Sequence, residues 1–166
     1  MISRGLVTAL GFTAGCAGGA PLAPQETNDR LGSWTPDPSA TILRTSLSSL
    51  ENPTLVVVSY PAAWRTLWSD AWGGLEAAPA LPAVDFVLSS VIVVGLGKRA
   101  GPGYSVTIDS IVVRTGGSML HATEVQPGPH CNVSGGPSAP VHMVQMPGHP
   151  PITGWFVETV SRDCGS

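Results

Sequence analysis

The chain has 166 residues and a formal net charge of −3, with 11% charged residues set against 20 glycines and 16 prolines. Its eight Lys and Arg are scattered, which excludes both the basic stripe that neutralises nucleic-acid phosphates and a polybasic patch for anionic lipid heads. The Gly and Pro content suits a turn-rich domain rather than a helical bundle, and the length allows one domain with a sizeable core.

The first 15 residues read as an export signal. Arg4 precedes an apolar stretch over residues 5–14, and small residues then lead to a cysteine. The stretch is well short of the ~20 apolar residues that span a bilayer. Thr13-Ala14-Gly15-Cys16 resembles the lipobox of bacterial lipoproteins, with Thr13 where Leu is usual. The resemblance implies cleavage before Cys16 and a lipid on its thiol; the alternative is plain secretion with an incidental cysteine. Ala17, rather than Asp, follows the cysteine, which by the same resemblance favours the outer membrane. With Cys16 lipidated, Cys131 and Cys164 remain as an even pair. Outside the cytoplasm such a pair reads as a disulfide. Free thiols or a metal site are the alternatives, but there is no CxxC and two cysteines do not complete a zinc shell.

Residues 16–39 carry four prolines in 17–39 and little apolar periodicity, so a flexible tether is expected, interrupted by Trp34. The globular domain is placed at 40–166. A first strand is expected over residues 40–47, and the β-branched run TLVVVSY predicts another over 54–60. The period then changes. Trp64, Trp68 and Trp72 recur four apart in PAAWRTLWSDAW, which aligns three indoles on one face of a helix over 61–72. Ser59 and Pro61 are the start signals and Gly73-Gly74 the stop. A Pro- and Ala-rich loop covers 75–83. Further strands are expected over 90–97, 103–114, 118–126, 141–145 and 154–162, with 90–97 apolar enough to sit centrally. Short, turn-rich connections favour antiparallel neighbours. The fold class is α+β: one amphipathic helix packed on a mostly antiparallel sheet.

Signatures of catalysis are few. There is no Gly-x-Ser-x-Gly elbow and no His-Glu-x-x-His, and Gly95-Leu96-Gly97-Lys98 lacks the spacing of a phosphate loop. His121, His130, His142 and His149 match no ligand spacing, so surface or core positions are expected, and no metal or cofactor. Asp85 and Asp109 read as caps or turn acceptors. The tryptophan stripe reads as core, with Trp72 at the helix end the most exposed; a carbohydrate platform or partner landing site is the alternative. Asn132-Val133-Ser134 fits a glycosylation sequon but is taken as chance.

Four segments then stand in a characteristic order: Trp64-Arg65-Thr66-Leu67-Trp68, Pro82-Ala83-Val84-Asp85-Phe86, the hydrophobic run 91–97, and Gly101-Pro102-Gly103-Tyr104-Ser105-Val106. Together they resemble the PrcB C-terminal-like family over residues 54–147. Pro102 replaces the first Gly of that family's Gly-Gly-Tyr, which fixes φ near −65° and removes an N–H. The founding member is a lipoprotein that accompanies a cell-surface protease, and most relatives have no assigned activity. The Gly-rich loop before Tyr104 is also similar to binding loops of chagasin-like cysteine-protease inhibitors. The resemblance implies a non-enzymatic, lipid-anchored envelope protein that binds another protein, such as a surface protease. Gly101, Pro102, Gly103, Tyr104 and Trp72 are the expected contacts. One rival is a protease-inhibitor module. Another is a small hydrolase using His121 or His142 with Asp109, which needs those groups within hydrogen-bond reach of one another. A third is a purely structural lipoprotein.

Overall fold

The computed structural model describes residues 30–75 and 78–164. The expected signal and Cys16 lie outside those residues. Among the described residues there are eight strands and one α-helix: β1 (Arg30–Trp34), β2 (Thr41–Thr45), β3 (Thr54–Val58), α1 (Pro61–Trp72), β4 (Ser89–Gly95), β5 (Ser105–Arg114), β6 (Gly117–Pro127), β7 (Val141–Pro147) and β8 (Ile152–Arg162). The strands divide into two sheets. Sheet A has the order β1-β5-β6-β8 and sheet B the order β2-β7-β4-β3. The α+β class with a mostly antiparallel pairing and a single packed helix therefore stands, built on two sheets.

The layers are sheet A, sheet B and α1, and two cores follow from the strand period of two. Ile92 and Val94 of β4, with Leu96 just after it, face sheet A and meet Val106, Ile108, Ile111, Leu120 and Ala122. Val91 and Val93 face the other way, with Val141 and Met143, against Trp64, Trp68 and Ala71 of α1. Burial on both faces is why β4 reads as an unbroken apolar run. On β5 the inward residues are Ile108 and Ile111, three apart, because a register shift between Ile108 and Ser110 makes Asp109 an extra, exposed residue.

Helix α1 has the bounds its tryptophan spacing predicts. Its N-cap is Tyr60, with no side-chain cap bond, so Ser59 does not start it; Pro61 at the first position supplies the preset φ. Trp64 Nε1 donates to the Pro82 carbonyl and Trp68 Nε1 to that of Pro79, both at 3.0 Å, which pins the Pro-rich loop across the helix. The three rings contact in series, with centroids 5.2 and 5.8 Å apart.

Two expectations change. Residues 30–39, expected as tether, have regular structure: β1 pairs with β5, Trp34 packs against the core between the sheets, and Pro38–Ala40 forms a 3-10 turn capped by Asp37. Hydrophobic burial of Trp34 and the ladder bonds of β1 outweigh the prolines around them. The strand after the 148–151 connection also departs from antiparallel pairing. The chain leaves sheet A after β6, runs through β7 in sheet B, and returns beside β6 in the same direction, so β8 pairs with β6 in parallel.

A candidate partner-binding site at the loop end

Strand directions bring three loops to one end of the sandwich. Gly95 pairs with Thr54 and Val141, Thr45 also pairs with Val141, and Ser105 pairs with Val125. Loops 46–53, 96–104 and 128–140 therefore leave the sheets together, and the C-terminus of α1 joins them.

Backbone contacts lock this end. Lys98 N–H donates to Glu51 O at 2.9 Å, Ala139 N–H to Ser46 O at 2.9 Å, and Ser49 N–H to Ala71 O at 2.8 Å. Arg99 and Ser138 form an antiparallel bridge. Ser138 Oγ, buried, donates to Gly101 O at 2.7 Å, and Ser48 Oγ donates to Ala139 O at 2.8 Å. Gly97 has φ +73°, and a β-carbon on it would lie 2.7–2.8 Å from the backbone of residues 51–53. Only glycine allows the two loops to approach this closely.

A cavity of about 600 Å³ opens where these loops meet, lined by Leu47, Trp72, Leu75, Lys98 and Ser138 among others. Leu47 is 59% exposed. Trp72 is half-buried, and its Nε1–H is a buried donor with no acceptor. Its two neighbours in the stripe have theirs satisfied, so Trp72 differs chemically from Trp64 and Trp68.

Of the expected contact residues, Gly101 is buried, Pro102 and Tyr104 are half-buried, and Gly103 is exposed at φ +90°. Pro102 faces the neighbouring loop, where a β-carbon on Gly135 would touch its ring at 3.5 Å. The fold brings Trp72 and residues 101–104 to the same end, with Ser138 touching both the cavity and Gly101. Sequence reasoning missed Leu47, Lys98 and Ser138, which carry no motif and gain their place from loop packing.

Cys131 and Cys164 form a disulfide with Cα atoms 5.0 Å apart. It ties loop 128–140 to the end of β8, alongside a bond from Gly128 N–H to Arg162 O at 2.8 Å.

The hydrolase residues separate. His142 is buried on β7; its Nδ1 accepts from Ile108 N–H at 2.8 Å and its Nε2 lies 3.3 Å from Thr41 Oγ1. That pattern requires the Nε2–H tautomer. Burial, with Arg44 as a lesser cause, pulls its pKa down to about 4. Asp109 sits on the exposed outer face of sheet A and accepts from Thr123 Oγ1 at 2.8 Å, a cross-strand contact rather than a cap. His121 lies on β6 beside Phe156. Among the described residues no hydrogen bond or ion pair joins either histidine to Asp109. Asp85 is the turn acceptor expected of it, taking the Val87 N–H at 2.9 Å. His130 and His149 are exposed. Among the described residues no group of three or more His, Cys, Asp or Glu side chains is placed to hold a metal ion. No helix among them is long and apolar enough to cross a membrane.

The fold and this end of it define a small two-sheet sandwich, braced by one helix, that presents a cluster of loops. The family model described as PrcB C-terminal matches residues 90–147. That segment runs from β4 through β7 and contains two of the three clustered loops, 96–104 and 128–140. No curated protein and no solved structure matches the chain.

Proposed function

We propose that the chain is a non-enzymatic cell-envelope protein that binds another protein through the loop end of the sandwich. The observation that carries this reading is the convergence of Trp72, Leu47, Lys98 and Ser138 around one cavity, with Ser138 bonded to Gly101 of the neighbouring 101–104 loop, on a frame fixed by backbone bonds and a disulfide. Exposed apolar groups beside a rigid backbone are what a protein interface uses for anchoring. The PrcB C-terminal match supports an accessory role beside a surface protease. Lipid on Cys16 would hold the protein at the membrane, the outer one where a cell has two, with the segment from Cys16 towards Arg30 providing the link to the domain.

The test is a pull-down from native membranes with the full chain and with a Trp72→Ala, Leu47→Asp variant. Capture of a protease complex by the native chain, reduced at least about tenfold in the variant, is the expected result. Equal capture by both, or none by either, removes the reading. Mass spectrometry of the mature N-terminus separates lipidated Cys16 from plain secretion. The same loop cluster favours one narrower reading, an inhibitor whose loops enter a protease cleft. It requires the purified domain to slow a co-resident protease, and unchanged turnover across protease classes excludes it.

A further inference from the structure

The side of the sandwich formed by β1 and β2 is crossed by residues 35–40, but among the described residues no strand pairs with the outer edge of β8, which ends sheet A and is 11 residues long. Such an edge is a pairing template unless it is guarded. The irregularity of β8 is confined to its start, where Thr153 has no partner on β6, and from Gly154 to Arg162 the strand is regular and contains no Pro and no Lys.

The free edge has a definite polarity. Arg162 O accepts from Gly128 N–H, so the N–H and C=O of Arg162 face β6. Strand alternation then turns the polar groups of Val157, Thr159 and Ser161 outward. The side chains of Phe156, Glu158, Val160 and Arg162 share the outer face of sheet A. Phe156 is 55% and Val160 38% exposed. Among the described residues Glu158 and Arg162 have no ion-pair partner, since the ion pair present is Arg99–Glu124.

A strand added antiparallel to this edge would need an acid opposite Arg162, an apolar residue opposite Val160 and a base opposite Glu158. Read in chain order that is acid-x-apolar-x-base, which is the sequence of the edge itself: Glu158-Thr159-Val160-Ser161-Arg162. We propose that β8 pairs antiparallel with β8 of a second copy, with Val160 on the two-fold axis, joining two sheets A into one of eight strands. Thr159 and Ser161 of opposite copies exchange both main-chain hydrogen bonds, twice by symmetry. Glu158 meets Arg162 of the other copy, also twice. Phe156 lies opposite the other copy's Cys164 and covers its disulfide. The charge order selects the register: an axis on Thr159 or Ser161 leaves Glu158 and Arg162 without each other, and one on Glu158 or Arg162 sets like charges face to face.

The test uses the full chain carrying Cys16→Ser to keep it in water, followed by sedimentation equilibrium up to about 1 mM, the weak limit of specific association. A concentration-dependent dimer is expected. Thr159→Pro removes one outward N–H and none facing β6, and should leave a monomer with an unchanged far-UV spectrum. Glu158→Arg alone and Arg162→Glu alone should each weaken the dimer about tenfold or more. Mixing those two single variants should restore association, because every cross-copy pair is then attractive. A monomer throughout the range overturns the proposal. So does a dimer insensitive to Thr159→Pro, or one that the mixture does not restore. Pull-down of a protein partner through the loop end is a separate readout and is unaffected by either result.

Discussion

Ser138 Oγ donates a buried hydrogen bond to the Gly101 carbonyl at 2.7 Å, joining loops 96–104 and 128–140 across 37 residues of chain. Ser138→Ala leaves that carbonyl without its side-chain donor. A loss of about 1–3 kcal/mol in urea unfolding is expected. Any partner that uses residues 101–104 should bind the variant more weakly, with the change mainly in dissociation rate by surface plasmon resonance. Unchanged stability would show that the loops hold together without this bond.

Gly97 holds loops 46–53 and 96–104 in register by close approach. Gly97→Ala meets both a positive φ and backbone atoms within 2.8 Å. About 2 kcal/mol or more of destabilisation is expected, visible as a lower thermal midpoint. By contrast Gly116→Ala, where nothing lies within 4 Å, should cost far less.

The Cys131–Cys164 disulfide closes a 33-residue separation. Reduction should lower stability by roughly 2–4 kcal/mol, chiefly by freeing the unfolded chain. Amide exchange should rise first in loop 128–140 and at the end of β8, the two segments it joins. Uniform acceleration over both sheets would contradict a local staple.

His142 makes stability depend on pH. In the folded chain its pKa is about 4, below the ordinary value of 6.5. Between those values the unfolded chain binds the proton and the folded chain does not, so unfolding gains protons and stability rises with pH. The thermal midpoint should fall as pH drops from 6.5 towards 4, and the slope should fade below that. His142→Gln keeps an acceptor for the Ile108 N–H but does not titrate, so its midpoint should follow pH less steeply across the same window.

Local pattern was enough for much of the fold. The four-residue tryptophan spacing defines α1 to the residue, and the apolar run at 91–97 announces a strand buried on both sides. Trp34 was less legible. Four prolines in residues 17–39 argue for a tether, but a strand at a sheet edge needs few local signals once a hydrophobic anchor docks. The site was legible only at Trp72 and the Gly101–Tyr104 loop, where unusual residue types draw notice. Leu47, Lys98 and Ser138 are ordinary in sequence, and their importance comes from what lies beside them.

By itself the sequence determined α1, the strands β2 to β8 and the pairing chemistry of Cys131 with Cys164, because side-chain periodicity and redox environment act locally or through composition. Tertiary structure decided that the strands form two sheets, that β8 returns parallel to β6, that His142 and Asp109 occupy opposite environments, and that three loops share one end. These depend on which surfaces exclude water together, a property of contacts between distant residues that no window of the chain contains.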